Sequence, residues 1–292
     1  MRYLRAQNEA LYDRQRIIAS QKRINKPSDD PIATGKILDY RQTLASIDQY
    51  QTNIQTGMTR LDVTEASLKM IDDLLQVVQA IGQSEAGETA ESRLLAAEEV
   101  KRLYDQVLDM TNTTINDNYI FSGYQTKTAP FTRDDTLPTT YDQYTVTYNG
   151  DDGDAQFIIA NNTEISLDAD GRPLFHDAAG GGVNLFDALR DLIVGLEDND
   201  SEAISTNSGL VNDARSQINN IRAANASIYY QLQLTERHWQ DYKPKIQDLM
   251  AKEEEADITR AVVELQNLEL AYQTTLATAA RIIQPGLMQF LR

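Results

Sequence analysis

Few residues of this sequence are of a type and spacing that could do chemistry. The two histidines, His176 and His238, stand far apart, and there is no cysteine. Disulfides, thiolate zinc sites and a cysteine nucleophile are therefore impossible. The chain contains no His-Glu-x-x-His, Gly-x-Ser-x-Gly or Walker sequence. Ser166, Asp168, Asp170, Gly171 and Asp177 mimic the ligand spacing of a calcium loop. Pro173 and the strand-like runs around them argue against an EF-hand, and an Asp-rich turn is the plainer reading. Asp151 and Asp152 are a carboxylate pair of the kind glycoside hydrolysis needs, but no aromatic-lined cleft is suggested near them. Gly180-Gly181-Gly182 reads as a hinge; no Lys-Ser/Thr follows to make it a phosphate loop. Asp29 and Asp30 lie just ahead of a helix, where adjacent carboxylates cap free N–H groups and meet the positive end of the helix dipole. No catalytic residue, cofactor or metal site is expected, and the chain is not read as an enzyme.

Charge narrows the partners. The 292 residues carry a net charge of −17. Nucleic acid is disfavoured, because phosphate binding needs clustered Lys and Arg. Anionic membrane surfaces are disfavoured for the same reason. No apolar run reaches the ~20 residues that span a bilayer, so membrane insertion is not expected. The first residues, MRYLRAQNEALYDRQRIIAS, lack the apolar core of a secretory signal. Export, if it occurs, must use another route.

The elements that would position any site are helices with a narrow apolar seam. From Gly209 to Leu249 the residues Val211, Ala214, Ile218, Ile221, Asn225, Ile228, Leu232, Thr235, Trp239, Tyr242, Ile246 and Leu249 alternate three and four apart. A 3.5-residue repeat keeps one seam facing a partner helix. Over about 40 residues, at ~1.5 Å each, this predicts a rod of roughly 60 Å. Pro244 falls inside it and is expected to kink or end it. The same spacing returns from Ile32 to about Gly82, through Ile37, Leu44, Ile47, Ile54, Met58, Leu61, Leu68, Ile71, Leu75 and Val78, with Gly57 as a candidate bend. Residues 90–117 read as a helix returning antiparallel.

The two chain ends carry matching seams. Leu4, Leu11 and Ile18 recur every seven residues in the first 24, and Ile258, Val262, Leu265, Glu269, Tyr272, Leu276, Ala279 and Ile283 step along the last helix, which Pro285-Gly286 should end. Between the ends, composition changes at about Pro130: Gly and Pro rise, and β-rich runs appear at Tyr141 to Tyr148, Gln156 to Ala160 and Thr163 to Leu167. Residues 184–197 make a short capped helix, and Asp198 to Gly209 reads as an acidic loop. The fold class is mainly α with a β insertion: a long antiparallel coiled-coil rod built from both chain ends, with a small antiparallel β domain in the middle.

Four stretches in this order resemble a family. Lys22 to Pro31 (KRINKPSDDP, with Arg23, Ile24, Asp29, Asp30 and Pro31), the long helix after it, Asn118 to Phe131 (NYIFSGYQTKTAPF) and Ala261 to Leu291 are together similar to bacterial flagellin-like axial proteins. Phe121-Ser122-Gly123 followed by Thr126, Thr128, Pro130 and Phe131, and the ending IIQPGLMQFL, favour the hook-filament junction group, the FlgL-type hook-associated proteins, over flagellin. The resemblance covers both helical arms; the insertion matches in placement and character, including Tyr148-Asn149-Gly150-Asp151.

The resemblance implies a structural subunit, secreted and located in the extracellular flagellum. It would form a junction ring of copies of itself between a FlgK-like junction protein and the flagellin filament, and be exported by the flagellar type III pathway with a FlgN-like chaperone. Residues 1–24 and 255–292 would form the terminal coiled-coil helices, with Leu4, Leu11, Ile18, Val262, Leu265, Tyr272, Leu276 and Ile283 as subunit-interface candidates. Residues 25–128 and 195–254 would form a helical rod domain, and 129–194 a β-rich outer insertion. A flagellin-type filament subunit is the alternative within the class; an enzyme or surface-binding module carried on the insertion is the alternative outside it. The sequence departs from the family in three places. The family begins upstream of Met1, which is read as a truncation or an internal start. Its usual glycine before Lys-Arg-Ile is Gln21 here, so a glycine helix stop is absent. Leu75-Gln76-Val77-Val78-Gln79 replaces the flagellin Arg-x-Arg-Glu-Leu pattern, so recognition by innate flagellin receptors is not expected.

Overall fold

The computed structural model describes residues 2–85, 87–134, 145–167, 171–176 and 182–290; at 2–3 and 279–290 the description is of the backbone alone. In chain order the elements are α1 (Arg2–Ser20), α2 (Pro31–Glu85), α3 (Ala90–Thr111), β1 (Thr114–Ile115), β2 (Asn118–Tyr119), β3 (Phe131–Arg133), β4 (Val146–Tyr148), β5 (Ala155–Ala160), β6 (Thr163–Leu167), α4 (Gly171–Phe175), α5 (Leu185–Glu197), α6 (Ser201–Glu254) and α7 (Ile258–Phe290). The strands form three antiparallel pairs, β1–β2, β3–β4 and β5–β6. Long helices with small strand pairs in the middle of the chain are the architecture the hydrophobic spacing predicts.

The chain divides into two compact units. One comprises residues 1–48 and 239–292, the other residues 49–238. In the larger unit the core follows the heptads. Ile54, Leu61, Leu68 and Leu75 on α2, and Ile204, Val211, Ile218 and Leu232 on α6, are buried at multiples of seven. A seven-residue step returns almost to the same helix face, so each row stays on the seam. Polar rungs show that the helices run antiparallel: Gln79 with Asn212, Asp72 with Arg215 and Glu65 with Arg222. Gly57 lies on the seam within contact distance of Leu232, Leu167 and Phe157, and α2 continues through it. It serves close packing, where a bend was expected.

α3 packs on α5 and both share the core of this pair; α5 is an amphipathic helix capped by Asn184, which accepts from the N–H groups of Phe186 and Asp187. An aromatic cluster closes the core: Phe131 packs on Phe186 and Phe175 at 5.3 and 5.6 Å between ring centres, and Phe121 meets Phe175 edge-on at 5.4 Å. Phe131, Val146 and Phe175, all between 129 and 194, thus share one core with α2, α3 and α6.

In the smaller unit α1 packs on α7, with Arg14 and Glu264 paired at 3.2 Å. Its burial is thin. Leu11 and Ala261 are the buried apolar residues of these two helices among the described side chains. Ile24, Ala33 and Ile37 form a second small cluster with Met250.

Helix ends differ from expectation in four places. The 198–209 loop is mostly helix: Asn199 takes the left-handed conformation at φ 59, and α6 starts at Ser201 with Asp200 accepting from the N–H groups of Glu202 and Ala203. Asp200 N–H returns to Gly195 O and Asn199 N–H to Leu196 O, a Schellman stop for α5 placed directly against an N-cap for α6. α3 stops at Thr111, not 117, because Asn116 and Asp117 form a positive-φ hairpin turn joining β1 to β2. α6 continues through Pro244 to Glu254, and α7 continues through Pro285-Gly286 to Phe290. A proline removes one hydrogen bond, and in a long helix the turns on either side hold the rod's path. Residues 255–257 separate α6 from α7, directly after the charged run Lys252 to Glu255.

Candidate functional site

The family-like motifs come together at two joints, one in each unit. In the smaller unit, Lys22 to Pro31 lies against the end of α6. α1 is stopped by Gln21 at φ 58, so the position that usually holds glycine is left-handed here as well. Gln21 O accepts from Ala256 N–H, Arg23 N–H donates to Glu254 O, and Lys22 bridges to Glu255. Arg23 also reaches the Glu253 carbonyl at 2.9 Å and Asp30 at 3.3 Å. Ile24 is buried beneath this loop.

The two aspartates are structural: Asp29 braces the loop and Asp30 caps α2. Asp29 accepts from the N–H groups of Asn25 and Lys26 at 3.0 and 2.9 Å, and Asp30 Oδ1 accepts from Ala33 N–H at 3.0 Å, which makes Asp30 the N-cap and Pro31 the first helical residue of α2. These donors hold both carboxyls below their ordinary values: Asn25 then Lys26 for Asp29, Ala33 for Asp30. Glu254 is the buried charge of the joint, taking Lys22 at 2.5 Å and Arg41 at 2.7 Å. Burial pushes its carboxyl up, but the Lys22 hydrogen bond and the charges of Arg41 and Lys22 outweigh it and the pKa falls below the usual range. Nothing in the spacing marks Glu254, which sits in the middle of the acidic run Glu253-Glu254-Glu255.

In the larger unit the Phe121-Ser122-Gly123 run meets Tyr148 to Asp151. Phe121 and Ser122 are fully buried. Gly123 has φ +65, and a Cβ there would lie 2.1 Å from Asp151 Oδ1 and 2.4 Å from its carbonyl, so the position demands glycine. Tyr124 N–H donates to Asp151 Oδ1 at 2.7 Å, Asp151 N–H donates to Ser122 O, and Tyr148 hydroxyl donates to the carbonyls of Phe121 and Asp151. Two runs far apart in sequence are halves of one turn.

A third joint was not legible. Arg93, 4% exposed, donates to the carbonyls of Glu85 and Asn199, to Asn199 Oδ1 and to Ser201 Oγ. It satisfies the carbonyl ends of two helices at once.

The interface candidates divide. Leu11 is buried, Leu4, Ile18, Leu265 and Tyr272 are half-buried, Val262 and Leu276 are exposed, and the side chain of Ile283 lies outside the description. On α7 the sheltered face runs through Ile258, Ala261, Leu265, Leu268, Tyr272 and Thr275, which leaves Val262 and Leu276 on its flank. Of the calcium-like set, Asp168, Asp170 and Asp177 lie outside the described residues, as do Tyr141 to Tyr144 of the first β-rich run and two of the three hinge glycines. Among the described residues no group of three or more acidic or histidine side chains is placed to hold a metal ion, and no helix is long and apolar enough to cross a membrane. These joints bind chain to chain; they present no reacting constellation.

Residues 1–126 match the family model described as the bacterial flagellin N-terminal helical region. The fold is similar to that of solved flagellar hook-associated proteins. Within that class, sequence and fold both resemble the FlgL-type hook-associated proteins. Flagellar hook-associated protein 3 of Escherichia coli (strain K12) is 32% identical over 120 residues, 40% of this chain and 38% of that protein. The match thus spans less than two fifths of the curated relatives' length. A flagellar hook-associated protein structure from Vibrio parahaemolyticus superposes with a TM-score of 0.69 at 20% identity, over 78% of this chain and all of that one. Flagellar hook associated protein-3 from Legionella pneumophila gives 0.64 at 15% identity, over 74% and 98%.

Proposed function

We propose that the chain is a structural subunit of the bacterial flagellum, a FlgL-type protein at the hook-filament junction, and not an enzyme. Its neighbours would be a FlgK-like junction protein, flagellin and further copies of itself, and it would reach its extracellular position by flagellar type III export with a FlgN-like chaperone. The observation that carries the reading is the thin burial of the α1–α7 pair. Tyr12, Val262, Val263, Leu270 and Leu276 remain exposed while the larger unit has a dense core. Helices that bury little alone gain their stability by stacking against neighbours. In this reading residues 1–24 and 255–292 form the inner coiled coil, 25–128 and 195–254 the surrounding rod, and 129–194 the outer insertion. Leu4, Leu11, Ile18, Leu265 and Tyr272 hold the pair together, while Val262 and Leu276 meet other subunits.

A second reading, a flagellin-type filament subunit, is favoured by the flagellin N-terminal match over residues 1–126. Gold-labelled antibody on isolated flagella separates the two. Label confined to the filament base supports the junction role. Label along the whole filament makes the chain a filament subunit, and an absence of label on flagella overturns both.

A further inference from the structure

Arg60 on α2 stands apart from the other arginines along the α2–α6 seam. Arg215 reaches Asp72 at 2.9 Å and Arg222 reaches Glu65 at 2.6 Å. Arg60 makes one hydrogen bond, from Nη2 to Ile120 O at 3.1 Å, and its Nε is buried with no acceptor among the described residues. No carboxylate among the described residues pairs with it, in a chain with 44 acidic residues to 27 basic ones. Burial lowers its pKa.

The guanidinium lines an open pocket of about 320 Å³ with Thr56, Thr59, Asn116, Asn118 and the apolar walls of Ile115, Ile120 and Phe157. The pocket is built on rigid parts. Asn116 and Asp117 sit at φ 50 and 59 in the β1–β2 turn, Asn118 Nδ2 donates to Asn116 O, and Asn53 Nδ2 ties the β5 carbonyl of Ile158 to α2. Among the described residues, its lining carries neutral polar groups and no acid. A half-buried cation with spare N–H groups is costly until an anion meets it. One guanidinium facing apolar walls matches the single charge and planar fork of a carboxylate better than a phosphate dianion.

We infer that the Arg60 pocket is a carboxylate-binding site, filled either by a free organic acid or by an acidic side chain of a neighbouring copy of this chain. Because Nε–H is buried, its proton exchanges slowly and gives a ¹⁵N–¹H cross-peak, assigned by its loss in Arg60→Lys. Sodium acetate, against sodium chloride at equal ionic strength, is expected to shift that peak saturably, at about 1–10 mM for so small a probe. Raising the protein concentration without acetate tests the second source; a shift there identifies the neighbouring copy, and a shift with acetate alone identifies a free acid. Thr56→Glu, one helical turn before Arg60, should occupy the pocket from within. Its peak should be moved at the outset and respond to neither acetate nor protein concentration. A peak that moves in neither arm overturns the inference. So does phosphate saturating more tightly than acetate, or an undiminished acetate response in Thr56→Glu. None of these outcomes depends on where in the flagellum the protein sits.

Discussion

At the scale of single residues, two left-handed positions behave oppositely. Gly123 is held at φ +65 with the Asp151 side chain and carbonyl where a Cβ would stand. Gly123→Ala is expected to cost about 2 kcal/mol or more, combining left-handed strain with the clash, read from the urea midpoint. An unchanged midpoint would mean the Asp151 turn can move away. Gln21 occupies the same backbone region at φ 58 with a side chain. Gln21→Gly should stabilise the smaller unit by roughly 1 kcal/mol by removing that strain. A loss would show that the Gln21 side chain contributes more than its backbone costs.

At the scale of elements, α6 and the Lys22–Pro31 joint each make a distinct prediction. α6 continues through Pro244, whose side chain is exposed. Pro244→Ala restores the missing backbone donor and should raise stability by up to about 3 kcal/mol, measured by thermal unfolding. A lower melting temperature would mean that the helix needs the local shape proline imposes. The joint should be acid-labile. Asp29, Asp30 and Glu254 all have carboxyls lowered from ordinary values of 3.8, 3.8 and 4.5. Such groups bind protons more readily in the unfolded chain, so their contribution is complete above about pH 4.5 and declines as pH falls through the folded-state values. Glu254→Gln should destabilise by roughly 1–2 kcal/mol at pH 7, and the difference from the parent protein should shrink towards pH 3. A pH-independent difference would place the effect in packing instead of charge.

At the scale of the whole molecule, stability is unevenly distributed. α5 buries Leu185, Phe186, Leu189, Leu192, Ile193 and Leu196, whereas the described parts of α1 and α7 bury only Leu11 and Ala261 among their apolar side chains. Amide exchange in dilute subunit should therefore be fast along α1 and α7 and slow along α3 and α5, with protection of the ends rising on assembly. Strong protection of both ends in dilute monomer would remove the argument that the terminal pair is completed by neighbours.

The sequence by itself determined the helical architecture and the direction of the core. Heptads such as Ile54, Leu61, Leu68 and Leu75 are local in the chain, and a seven-residue step lands on one face whatever else the protein does. The Asp30–Pro31 cap was legible for the same reason, since its hydrogen bonds span three residues. The tertiary structure alone decided which motifs meet. Gly123 needs to be glycine because Asp151 arrives there, Glu254 is buried because Lys22 and Arg41 surround it, and Arg93 spans from Glu85 to Asn199. It also decided the continuation of α6 through Pro244 and the face α7 turns to α1, one position aside from the expected seam at Val262 and Leu276. Periodicity specifies a stripe on a helix. The side of that stripe that is covered depends on partners separated by hundreds of residues, and no local spacing encodes them.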